Sequence, residues 1–161
     1  MKRAMVFIIF ITLVFSGSAF ALGKPDFSGR WTLDVAKSDM GKARLSAGAL
    51  EASKLTIVIK QSPAVLATTR NVGRGPETTI LKLDGSESIN KSPSGQDIRS
   101  TSRWEGPTLV TKSVMSTEHG TTESTLVRSL SADGKVMTID TTTKTSAGSG
   151  ELKQKLIYNK Q

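Results

Sequence analysis

The residue best placed to bind something in this chain is an arginine in the middle of an apolar strand. Arg128 lies in Thr125-Leu126-Val127-Arg128-Ser129-Leu130. Side chains in a strand alternate faces, so Leu126, Arg128 and Leu130 share one face and Thr125, Val127 and Ser129 the other. Both faces carry apolar residues, and a slip of one residue exchanges them. In one register Arg128 is a solvated surface charge with Thr125 and Val127 pointing in. In the other its guanidinium enters an apolar interior, where a charge is costly unless something pairs with it. A bound anionic headgroup is one such partner.

Two further residues bear on that choice. Tyr158 shares a face with Leu152, Gln154 and Leu156. A buried tyrosine hydroxyl seeks a partner, which backbone, water or a ligand head supplies. Trp104 shares a face with Ile98, Ser100 and Ser102, and it either lines a pocket or caps a rim. The candidate ligand-binding set is therefore Arg128, Tyr158, Leu126, Leu156 and Trp104. Trp31 is expected to plug the bottom of the fold, a packing role.

Other chemistries lack their parts. His119 is the single histidine and stands in the turn Glu118-His119-Gly120. Alone it cannot build a zinc site, which takes three or four protein ligands. Catalysis at His119 needs a nucleophile and an orienting carboxylate, and no sequence pattern supplies them. Asp34, Asp97 and Asp140 are isolated, without the pairing that acid–base work needs. Gly73-Arg74-Gly75 is too short for a phosphate cradle and opens no helix. No cysteine is present, so disulfides and thiolate metal sites are absent. The expectation is a non-enzyme with no metal and no cofactor; an isomerase-like barrel enzyme ranks last.

The elements that must position these residues begin after a leader. Lys2 and Arg3, the apolar run from Met5 to Phe15 and the small-x-small Ala19-Phe20-Ala21 read as a signal peptide over residues 1–21. Cleavage there leaves 161 − 21 = 140 residues, one domain over 22–161, in a periplasmic or secreted setting. The leader carries two of the 22 basic residues, so 20 face 14 acidic ones, a formal +6. Such a balance draws a protein toward anionic envelope surfaces. The charges are scattered rather than run together, which argues against nucleic acid and fits a solvated surface. A monomer is expected.

Residues 22–161 hold 18 Ser and 18 Thr, but only Phe27, Trp31, Trp104 and Tyr158 as aromatics. Thr, Val and Ile favour strands. So few large rings fill a solid core poorly, which suits a sheet around a cavity. Smaller aliphatic packing would suit it too.

Strand and turn signals recur every 8–12 residues, a pattern of all-β proteins. Strands are expected at 29–35, 55–61, 65–72, 77–83, 88–91, 97–104, 108–115, 121–130, 136–144 and 152–160. Ser38 to Ser53 is the only helix-compatible stretch, with Ser38 or Asp39 able to cap it. Gly85, Gly95, Gly106, Gly120 and Gly134 mark tight corners, which make neighbours antiparallel. A long meander leaves two raw edges unless it closes. The expected fold is a ten-stranded antiparallel up-and-down barrel with a short helical lid between its first two strands. A solid sandwich is the alternative.

The order of parts resembles the calycin superfamily, and within it the intracellular fatty-acid-binding proteins of animals. Phe27-Ser28-Gly29-Arg30-Trp31 is similar to that family's opening Phe-x-Gly-x-Trp. Thr125-Leu126-Val127-Arg128-Ser129-Leu130 with Asp133-Gly134-Lys135 resembles its Thr-Leu-Val-Arg-Glu-Leu and Asp-Gly-Lys. Leu156-Ile157-Tyr158-Asn159-Lys160 is similar to its closing Arg-x-Tyr-x-Lys. The layout covers Phe27 to Lys160. In that family two arginines and a tyrosine hold the fatty-acid carboxylate. The resemblance places Arg128 at the first arginine and Tyr158 at the tyrosine, while the second arginine falls on Leu156. The family is cytosolic, whereas this chain carries an export-type leader. Exported bacterial lipocalin-like proteins, which also open with Gly-x-Trp, are the other similar group.

The resulting expectation is an exported binding protein for a small hydrophobic or anionic amphipathic ligand, lipid-like and held inside the barrel. Arg128 and Tyr158 would orient its head, and Ala43 to Ala52 would gate the opening. The alternative is an envelope interaction module without a ligand cavity.

Overall fold

A computed structural model describes residues 23–41, 55–71, 75–148 and 150–161. Ten antiparallel strands make one sheet. They are β1 (Gly29–Leu33), β2 (Thr56–Gln61), β3 (Val65–Asn71), β4 (Pro76–Lys82), β5 (Glu87–Lys91), β6 (Asp97–Glu105), β7 (Thr108–Thr117), β8 (Gly120–Leu130), β9 (Val136–Thr145) and β10 (Glu151–Lys160). All ten expected strands are found, most with ends moved by a residue or two.

The order across the sheet is β4-β3-β2-β1-β10-β9-β8-β7-β6-β5. Every pair except β1 with β10 is also consecutive in the chain, and short turns join all of these except β1 and β2. The β1–β10 pair joins the two ends of the meander, setting Leu33 opposite Tyr158 and Trp31 opposite Lys160. At the corner after β8, Gly134 adopts the left-handed φ of 68°. Asp133 fixes the same turn by accepting hydrogen bonds from Ser131 Oγ (2.6 Å) and the Lys135 amide (3.1 Å).

The sheet curls until β4 faces β5, and there the ladder stops. No paired register joins these two strands among the described residues; side chains bridge them. Asn90 Oδ1 accepts from the Ile80 amide (2.8 Å), and Asn90 Nδ2 donates to the Ile80 carbonyl (2.9 Å). Ser88 Oγ accepts from the Lys82 amide (2.8 Å). The result is a nearly closed barrel with a laced seam.

One end of the barrel is plugged. Phe27 and Trp31 are fully buried there. Trp31 Nε1 donates to the Phe27 carbonyl (2.8 Å), which satisfies the indole. The Gln61 side chain ties down the segment before β1, accepting from the Phe27 amide (3.0 Å) and donating to the Pro25 carbonyl (3.0 Å). Ile57, Ile59, Leu66 and Leu81 from β2–β4 pack on this plug, with Leu109, Met137 and Ile139 from the other wall.

The expected helical stretch begins differently. Asp39 exchanges backbone hydrogen bonds with Lys155 on β10 (2.8 and 2.7 Å), and its Oδ1 accepts from the Gly41 amide (2.8 Å). Ser38 Oγ donates to the Asp34 carbonyl (2.7 Å) and accepts from the Ile157 amide (2.9 Å). Gly41 follows at φ +60°, where a Cβ would collide with the Lys153 carbonyl. Residues 34–41 thus run along β10. The rest of the proposed lid, including Ala43 to Ala52, lies outside the described residues, as do Val72, Gly73 and Arg74 of the β3–β4 hairpin.

Candidate functional site

Strand pairing settles which way Arg128 points. It stands opposite Leu109 on β7 and Ile139 on β9. Cross-strand partners share a face, and both of these are buried core residues. Arg128 therefore projects inward and is 7% exposed. Val127 and Thr125 take the outer face.

The same register gathers the other candidates. Trp104 pairs with Leu109, Leu109 with Arg128, Arg128 with Ile139, and Ile139 with Leu156. These five residues form one continuous inner row across β6–β10. Tyr158 is one inner step along β10 from Leu156, and Leu126 one inner step along β8 from Arg128. Adjacent strands lie about 4.8 Å apart and inner steps about 6.7 Å. Leu126, Leu156 and Tyr158 are half-buried and pack on the core.

Trp104 occupies the plugged end of that row. Its ring stacks on Phe27 with centroids 6.0 Å apart, and Lys24 Nζ lies 5.9 Å from the ring centre. It also lines an outer groove of about 370 Å3 with Lys24, Gln61, Pro63 and Leu83. Its packing is that of a base residue.

Arg128 stands out electrostatically. Its Nε and Nη1 are buried and meet no hydrogen-bond partner among the described residues. Burial pulls its pKa down to about 10, with Tyr158 opposing the shift. The guanidinium still carries its charge at neutral pH. Burial raises the Tyr158 hydroxyl, and the positive charges of Arg128 and then Arg70 oppose that rise. A charged fork with unspent donors beside a neutral phenol has the chemistry to pair with an anionic oxygen, because charge-assisted hydrogen bonds are the stronger kind.

Arg70 is the residue that sequence reasoning missed. It pairs with Ile57, a buried inner-face residue, and with Glu77 on β4. It is thus a second cation on an inner-face position. Arg70 Nη2 lies 2.8 Å from Glu77 Oε2, and its Nε donates to the same oxygen (3.0 Å). The only signal for it was the inward set Leu66, Thr68 and Arg70, which two adjacent threonines hide.

His119 is exposed in its turn, with Nε2 3.3 Å from Glu118 Oε1. Among the described residues, no group of three or more His, Asp or Glu stands together as a metal site.

No protein-family model matches this chain, and no curated protein matches it. Solved structures do. The apo form of lipid binding protein 8 from Caenorhabditis elegans aligns over 84% of this chain and 95% of its own, with a TM-score of 0.59 and 15% sequence identity. At that identity the likeness is one of fold: the chain has a calycin-like barrel.

Proposed function

We propose that this barrel binds a small amphipathic ligand with an anionic head, a lipid acid being the simplest kind. The observation that carries the reading is Arg128: a buried, charged guanidinium whose Nε and Nη1 lack partners in the described structure. A buried cation left unpaired is strongly destabilising. A ligand carboxylate or similar head would relieve that cost, and Tyr158 would add a second hydrogen bond. Leu126 and Leu156 flank the head, and the apolar chain supplies affinity through buried area. The fold likeness to a protein named for lipid binding supports this reading.

The leader at residues 1–21 supports export as part of the same proposal. N-terminal sequencing of protein recovered from an envelope or culture fraction tests it; an intact Met1 would refute export.

Lipid extraction and native mass spectrometry of the purified chain, with displacement of a fluorescent fatty acid, test the binding. Co-purifying amphiphile or micromolar displacement is expected. Empty protein that takes up no fluorescent fatty acid would sink the proposal.

A further inference from the structure

The interior has two unlike walls. On β1–β3 the inner positions Trp31, Leu33, Ile57, Ile59 and Leu66 are apolar and buried, with Thr68 and Arg70 the polar inner positions farther along β3. On β5–β9 an unbroken row of hydroxyls crosses the sheet. Ser88 pairs with Ser100, Ser100 with Ser113, Ser113 with Ser124, and Ser124 with Thr143. It lies two inner steps from the Arg128 row, on the side away from the plug, about 13 Å along the strands.

These hydroxyls bond in pairs. Ser100 Oγ and Ser113 Oγ are 2.9 Å apart, and Ser124 Oγ and Thr143 Oγ1 are 3.0 Å apart. A hydroxyl has one donor and two acceptor sites. Within a pair one hydroxyl donates and the other receives, so each pair keeps one free donor and spare lone pairs. Ser113, Ser124 and Thr143 are half-buried on the inner face, so this capacity opens to the interior. Apolar side chains would fill these positions at less cost if the wall met only hydrocarbon. Small polar residues alone would not make a site. Arg128 on the same wall, 7% exposed and with Nε and Nη1 lacking partners, is a separate sign that this interior receives a polar ligand.

We infer that the ligand carries polar oxygens along one flank, near its middle, as well as an anionic head. The class is an oxygenated amphiphile, such as a hydroxylated lipid acid, rather than a plain saturated one. This inference rests on the proposed binding at Arg128. With the head there, the hydroxyl row meets the ligand partway along its chain, and the apolar wall covers its other flank.

The test compares octadecanoate with its mid-chain hydroxylated counterpart by displacement titration. The hydroxylated acid is expected to bind about 3- to 10-fold tighter, the worth of one net hydrogen bond. The double variant Ser124→Ala with Thr143→Val removes both members of a pair, which is nearly neutral for folding. In it the preference should fall to near one, and Ser124→Thr alone should keep it. Equal binding of both acids by the native chain, or a preference that survives the double variant, would overturn the inference and leave the head site standing. Binding of neither acid would overturn the head site and this inference with it.

Discussion

Leu156 lies in the same inner row as Arg128, two strands away through Ile139. It is also the position to which the sequence resemblance assigns the second arginine of the fatty-acid-binding family, and here it holds an aliphatic side chain. Leu156→Arg would set two guanidiniums on one wall. Affinity for a carboxylate amphiphile is expected to rise about 10-fold, within the range for a hydrogen bond to a charged group. The empty protein should lose about 1–3 kcal/mol, because the added cation faces the first. Calorimetric titration and denaturant midpoints read the two effects. Unchanged affinity would show that the head binds elsewhere.

Arg128→Met removes the buried charge and keeps the length of the side chain. Replacing a buried charge by a well-packed apolar group is often stabilising, and a gain of about 1–3 kcal/mol is expected here. Affinity for the same amphiphile should fall at least about 10-fold. A variant that loses both stability and binding would instead mean that Arg128 holds the fold together.

Arg70 and Glu77 form an ion pair whose arginine side chain is half exposed. Such pairs contribute little to stability, so Glu77→Gln should change it by less than about 1 kcal/mol. The freed Arg70 adds positive potential on the inner face. Affinity for an anionic ligand should rise a few-fold and become more sensitive to salt. Arg70→Ala should lower it. Equal affinities at low salt would remove Arg70 from the site.

Several carboxylates are held below their ordinary pKa by hydrogen bonds and nearby lysines. Asp34 is lowered first by the Asn159 amide, Asp133 by Ser131 and Glu151 by Lys153. A depressed folded pKa means that the unfolded chain binds protons first as pH falls. The stability these groups contribute is therefore complete above about pH 5 and is lost as pH drops through and below about 4. Thermal melts from roughly pH 3 to 7 should show that acid limb. Asp34→Asn should flatten it.

Asn90→Ala deletes both rungs from Asn90 to Ile80. The Ile80 amide should exchange its hydrogen faster by about 10-fold or more, while amides of the β8–β9 ladder stay protected. Uniform acceleration across the barrel would mean that the seam opens only with global unfolding.

Much of the fold is legible in the sequence because punctuation is local. Asp84-Gly85, Pro93-Ser94-Gly95, Glu105-Gly106 and Asp133-Gly134 each end a strand, so all ten strands fall near their expected places. The direction of Arg128 is not legible locally, since Leu126 with Leu130 and Val127 offer rival stripes. Pairing with Leu109 and Ile139 decides it, and that pairing is set by the whole meander. Asn90 reads as an ordinary strand-end residue; only curvature brings Ile80 within reach of its amide. The backbone pairing of Asp39 with Lys155 is likewise not legible locally, because β10 lies more than a hundred residues away in the chain.

The laced seam has one more consequence. A closed ladder would leave this barrel without borders, but here a single amide and a single hydroxyl cover two of them. Ile80 and Ile89 sit beside that line, each about half exposed (50% and 53%). If the lacing lets go, two bare strands flanked by isoleucine meet the solvent, the arrangement that recruits another molecule edge to edge. Loss of soluble monomer on mild warming, steeper at higher protein concentration, should therefore begin at this line.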